Sequence, residues 1–124
     1  MSRNTRYGMR AVAAAGGLAY ALNMVPSQTP TLAELRARRD QILALANSHG
    51  ARNVRVFGSV ARGEQTPESD LDLVVDFDAG QSLLDHGELI MDLEEALGCR
   101  VDVVSSRGLR ERFRHRVLAD AVPL

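Results

Sequence analysis

Residues 70–77 read Asp-Leu-Asp-Leu-Val-Val-Asp-Phe, and this octet constrains the fold more than any other stretch. Successive side chains of a strand point to opposite faces, so Leu71, Leu73 and Val75 claim one side while Asp70 and Asp72 project together from the other. Such a strand needs a packed apolar layer behind it. It also needs something to offset the paired carboxylates in front, because like charges at that spacing make each carboxyl hold its proton more tightly. A divalent cation removes the penalty. Magnesium suits the donors, since it takes one or two carboxylates together with phosphate oxygens and keeps several waters.

A third carboxylate, Asp102, interrupts the apolar run Val101-Asp102-Val103-Val104. It is either a hydrogen-bonded strand aspartate or, if its strand lies beside the second one, the third member of the cluster. Three carboxylates could hold two metals. Asp76 shares the face of Asp70 and Asp72, but four strand residues separate it from Asp72 by roughly 13 Å, outside direct ligation. Gly58-Ser59, separated from Asp70 by ten intervening residues, stands at the end of another extended segment. Glycine permits a sharp turn, and a serine opening a short helix offers amides and a hydroxyl to a phosphate. Arg62, one turn on, is placed to add a forked cationic contact. There is no G-x-x-x-x-G-K-[ST] sequence and no lysine at all, so the kinase-type phosphate loop is excluded.

Elsewhere the chain punctuates itself clearly. Thr31 followed by Glu34 is a capping box that starts a helix with the apolar stripe Leu35, Ile42, Leu45 and Ala46, ended by Gly50. A strand is expected from Arg52 to Phe57, a helical turn from Ser59 to Gly63, and a turn around Pro67. Ser82, with Asp85 at the third position, caps a helix to Ala96 stopped by Gly98. Arg100 to Val104 reads as a strand, and Ser105 or Ser106 as the cap of a last helix with the apolar line Leu109, Phe113, Val117 and Leu118. The expected class is α/β (α+β): a small mixed sheet with helices packed on it.

At 124 residues, 45% hydrophobic and 25% charged, the chain is one ordinary globular domain. Residues 30–124 form that domain, and 1–29 an N-terminal extension. Arg3, Arg6 and Arg10 precede an Ala-rich stretch in the outline of a secretory signal, but its glycines and polar residues weaken it, and it is too short to span a membrane. A start called too early, with Met24 the true beginning, would read the same. The single cysteine, Cys99, allows no internal disulfide and fits a reducing, cytoplasmic compartment. Between Gly63 and Cys99 stand eleven acids and no arginine, whereas Arg100 to Arg116 holds six arginines against Asp102 and Glu111. Arg107, Arg110 and Arg114 fall on one helix face, but few aromatics interleave them, which argues against direct nucleic-acid binding.

Gly58-Ser59, ten residues, then Asp70-Leu71-Asp72 resembles the signature of the DNA polymerase beta-like nucleotidyltransferase superfamily. Within it, the stretch from Gly58 to Phe77 is similar to the minimal nucleotidyltransferases (MNT), and Arg100 to Leu124 resembles their C-terminal end. The resemblance implies that Asp70, Asp72 and Asp102 are the catalytic magnesium ligands, and that Gly58 and Ser59 contact the phosphates of ATP. Many proteins of this kind are antitoxins encoded beside a HEPN ribonuclease toxin. The resemblance therefore implies transfer of AMP to a toxin tyrosine. Stoichiometric, non-catalytic neutralisation of the toxin is the alternative. A small-molecule acceptor is disfavoured, because nothing in the sequence supplies a domain to bind one.

Overall fold

The computed structural model describes residues 29–124; the signal-like stretch of the N-terminal extension lies outside the described residues. Thr29 is buried, and its hydroxyl donates to the Ser69 carbonyl. Thr31 caps α1 (Leu32–Ala37) through the expected box: the Glu34 amide donates to Thr31 Oγ1 at 3.1 Å and the Thr31 amide to Glu34 Oε1 at 2.8 Å. The helix expected to continue unbroken is interrupted at Arg38 (φ −110°, ψ 21°) and resumes as α2 (Arg39–Ser48). Arg38 uses the break to reach elsewhere, its Nη2 donating to the Ala96 carbonyl at 2.7 Å and to Gln41 Oε1 at 2.8 Å.

There follow β1 (Ala51–Phe57), α3 (Gly58–Arg62), β2 (Leu71–Phe77), α4 (Leu83–Leu97), β3 (Val101–Ser105), a 3-10 turn (Ser106–Gly108), α5 (Glu111–Asp120) and β4 (Val122–Pro123). The sheet order is β3-β2-β1-β4, with β2 and β3 parallel and β1 antiparallel to both β2 and β4. A parallel pair requires a crossover, and α4 provides it. The mixed sheet with helices is the expected class. Its fourth strand was not legible, because two residues carry no periodicity. Among the described residues, no helix is long and apolar enough to cross a membrane.

One face of the sheet carries the main core. Leu71, Leu73 and Val75 from β2, with Val101 and Val103 from β3, meet Leu35, Ile42, Leu89 and Leu93 from the helices. On α4 the buried line is Leu89 and Leu93, while Leu83 at the helix start is 85% exposed. Cys99 is buried in this core, and burial pushes its thiol up to about 12, which leaves it inert as a nucleophile. Val74, fully buried, and Val117 of α5 form the opposite side. α5 lies against β1 and α3 there.

Between Arg52 and Arg55, β1 gains one residue over β2: Arg52 pairs with Asp76 but Arg55 with Val74. Asn53 takes a positive φ of 55°, a conformation its short polar side chain tolerates better than most, and forms this bulge. The extra residue brings Arg55 onto the face of Asp76, where its Nη2 lies 2.9 Å from Asp76 Oδ1. Ser106, read as a possible helix cap, instead donates its hydroxyl to Asp76. α5 accordingly starts after Arg110 with no side-chain cap.

Candidate active site

β1 ends at Phe57, whose register partner on β2 is Asp72. The chain turns there through Gly58 at φ +75°, and a Cβ on that glycine would come within 2.5 Å of Asp72 Oδ2. The turn and the carboxylate are therefore packed against each other, and only glycine satisfies both the backbone and the space. Ser59 follows in the first turn of α3, partly buried. α3 closes at Gly63, left-handed at φ 72°, with the Glu64 amide donating to the Ser59 carbonyl at 2.8 Å.

In the parallel pair Asp72 is the register partner of Asp102, so the two carboxylates leave the sheet on the same side, their backbones about 5 Å apart. Val101 and Val103 take the core side. Asp70 stands just ahead of β2. Its Oδ1 lies 3.0 Å from Arg100 Nε, and Arg100 Nη2 donates to the Glu68 carbonyl at 2.5 Å. Asp76 is fully engaged by Ser106, Asn53 and Arg55, and these contacts hold its carboxyl below the usual range.

Burial, then the charges of Asp102 and Asp70, push the Asp72 carboxyl up to about 6, with the Arg62 charge opposing them. Desolvation is the larger cause and carboxylate repulsion the next, and an all-oxygen set of this kind fits a hard cation such as magnesium. The trio stays open. Among the described residues, the group that does bring its ligand atoms within 4.8 Å of one another is His49, Asp85 and Glu88. Two of its members have other partners: His49 Nε2 sits 2.7 Å from Asp92 Oδ2, and Asp85 closes the Ser82 capping box.

Arg62 does not point freely at the turn. Its Nε lies 2.9 Å from Glu64 Oε1 and its Nη1 2.5 Å from Asp120 Oδ2, so α3 and α5 are tied together through it. Sequence reasoning missed these partners and also Arg100. The one signal was that Arg100 opens its strand as Asp70 opens the neighbouring one, and that signal needs the register to be known.

A family model described as a nucleotidyltransferase domain matches residues 39–122. The protein adenylyltransferase MntA of Thermococcus cleftensis is 42% identical over 78 residues, covering 63% of this chain and 79% of that protein. A solved structure described as a presumptive minimal nucleotidyltransferase matches with a TM-score of 0.70 at 57% identity, over 77% of this chain and 97% of its own. A chain from the crystal structure of a toxin–antitoxin pair, a tyrosine-to-alanine mutant of MntA–HpeT, matches with a TM-score of 0.60 at 25% identity, over 69% of this chain and 70% of that one.

Proposed function

This chain belongs to the nucleotidyltransferase domain family, and from that membership we propose that it is a magnesium-dependent antitoxin that transfers AMP from ATP to a tyrosine hydroxyl of a HEPN-type ribonuclease toxin. The observation that carries the reading is the register of Asp72 against Asp102, on one face and beside the Gly58 turn. The relatives add support. One is named a protein adenylyltransferase, and a solved neighbour comes from a toxin–antitoxin pair in which a tyrosine was replaced.

In this reading Asp70, Asp72 and Asp102 are the metal ligands, and Gly58 and Ser59 receive the nucleotide phosphates. Arg62 serves the phosphates once it leaves Asp120 or Glu64. Bound magnesium would offset both the triphosphate charge and the carboxylate repulsion. The acceptor oxygen bonds to the α-phosphorus as the bond to pyrophosphate breaks, and the phenolic proton passes to solvent. The protein contributes position and charge rather than covalent chemistry. No second domain is needed, because the acceptor brings its own fold.

Incubation with radiolabelled ATP, magnesium and the HEPN-type partner should label that partner on tyrosine, at trace amounts of this protein. The Asp70→Asn/Asp72→Asn double variant should not. Neutralisation that requires equal amounts and survives the double substitution would replace catalysis with stoichiometric binding. Retention of labelling by the double variant would remove the carboxylates from the account.

A further inference from the structure

α5 leaves part of its inward face uncovered. Phe113 and Val117 are four residues apart and so share a face, yet the fold buries Val117 at 3% exposure and leaves Phe113 at 49%. The C-terminal half of α5 rests on β1 and α3 and is tied to Arg62 through Asp120, while every residue from Glu111 to Arg116 is exposed. Arg110 stands three residues before Phe113, and Arg114 four after Arg110 and three before Val117, so both arginines border the strip that Phe113 and Val117 share.

The charge of this segment is as one-sided as its exposure. Arg107, Arg110, Arg112, Arg114 and Arg116 stand against a single acid, Glu111, in a chain of net charge −1. Among the described residues, no ion pair engages any of the five, although Arg36, Arg52, Arg55, Arg62 and Arg100 all find intramolecular acceptors. An exposed aromatic flanked by unpaired arginines is the composition of an interface anchor rather than of an idle surface. Its position matters too. Phe113 lies seven residues before Asp120, about 10 Å along the helix from the contact with the phosphate turn.

We propose that the exposed face of α5 docks the protein acceptor, and that the acceptor presents an acidic surface around an apolar contact for Phe113. The proposal rests on the reading that the acceptor is a protein. Charge complementarity calls for an acidic partner, and the scarcity of aromatics selects a protein over a nucleic acid. Single-stranded nucleic acid wants successive aromatics, and a polyanion laid along α5 would run toward Asp70, Asp72 and Asp102. A second copy of this chain would have to use its own acidic segment and would cover the site it needs open.

Binding is measured by calorimetry between the HEPN-type partner and the Asp72→Asn form, so that transfer does not interfere. Phe113→Ala and the Arg110→Glu/Arg114→Glu pair should each weaken binding by about 30-fold or more. Both should leave the circular dichroism spectrum and the affinity for ATP unchanged. In the otherwise native chain the same substitutions should raise the KM for the protein acceptor and spare kcat. Binding unaltered by both variants overturns the proposal. So does self-association that disappears in them, or competition by a 20-nucleotide single-stranded RNA that depends on Phe113. Docking through Phe113 without AMP transfer would leave this surface standing and remove the proposed reaction. Transfer at the native rate by the docking variants would do the reverse. A native chain that does not bind the partner would overturn the docking surface, whatever its activity.

Discussion

Gly58→Ala separates the site's demand on this position from the backbone's. Gly58 and Gly63 have nearly the same left-handed backbone, φ +75° and φ +72°, at the two ends of one five-residue helix. An added Cβ at Gly63 meets nothing within 4 Å, whereas at Gly58 it meets Asp72 Oδ2 at 2.5 Å. Gly63→Ala therefore reports the backbone penalty alone, about 1–2 kcal/mol. For a domain of this size that lowers Tm by about 4–8 °C per kcal/mol. Gly58→Ala carries the same penalty and also displaces the Asp72 carboxylate from the turn. Thermal denaturation should show the two variants within about 2 kcal/mol of each other. AMP transfer, assayed at a temperature where both are folded, should fall at least about 100-fold for Gly58→Ala and less than about threefold for Gly63→Ala, because misplacement by about 1 Å is enough to cost the larger factor. Equal activity in the two variants would refute the claim that the glycine makes room for the carboxylate.

Asp72→Asn should stabilise the metal-free protein while abolishing transfer. An acid raised from 3.8 to about 6 by folding binds more protons folded than unfolded between those values, so its contribution to stability falls as pH rises through that window. At pH 7 the cost, reduced by solvent screening of this half-buried group, is about 1–2 kcal/mol. Urea denaturation should show the variant's advantage at pH 7 and its disappearance near pH 4, and adding magnesium should stabilise only the native chain. Arg100→Ala removes the cation now 3.0 Å from Asp70. Half-saturation by magnesium, read by calorimetry, should fall by about 1.5- to 5-fold, the range of a partly exposed ion pair; unchanged or weaker metal binding would show that Arg100 does not compete for Asp70. Glu94, 1% exposed, accepts from the Val101 amide through Oε2 at 3.1 Å. Glu94→Ala should cost about 1–3 kcal/mol in chemical denaturation by stranding that buried amide, and should loosen the strand that carries Asp102. A loss below about 0.5 kcal/mol would deny that bond its role.

Local chemistry was legible in the chain from the start. Thr31 with Glu34 and Ser82 with Asp85 form their capping boxes, because a cap needs only residues three apart. The alternation in Leu71-Asp72-Leu73 divides core from solvent for the same reason: its period is a property of the extended backbone. Where distant groups compete, the sequence misleads. Ser106 had a helix start within reach, but Asp76, thirty residues earlier in the chain, took its hydroxyl. The regular helix expected from Thr31 to His49 gave way at Arg38, whose guanidinium is held by the end of α4.

The sequence by itself determined the order of the principal helices and strands, the core side of Leu71, Leu73 and Val75 opposite Asp72, and the spacing between the glycine turn and the first carboxylates, all consequences of neighbours along the backbone. Tertiary structure decided the rest. The parallel register sets Asp102 beside Asp72, and the bulge at Asn53 turns Arg55 toward Asp76. It also commits Arg100 to Asp70 and Arg62 to Asp120. Those pairings depend on which strands lie side by side and by how many residues they are offset. Pairing energies of about 1 kcal/mol or less per contact leave no trace in composition or periodicity.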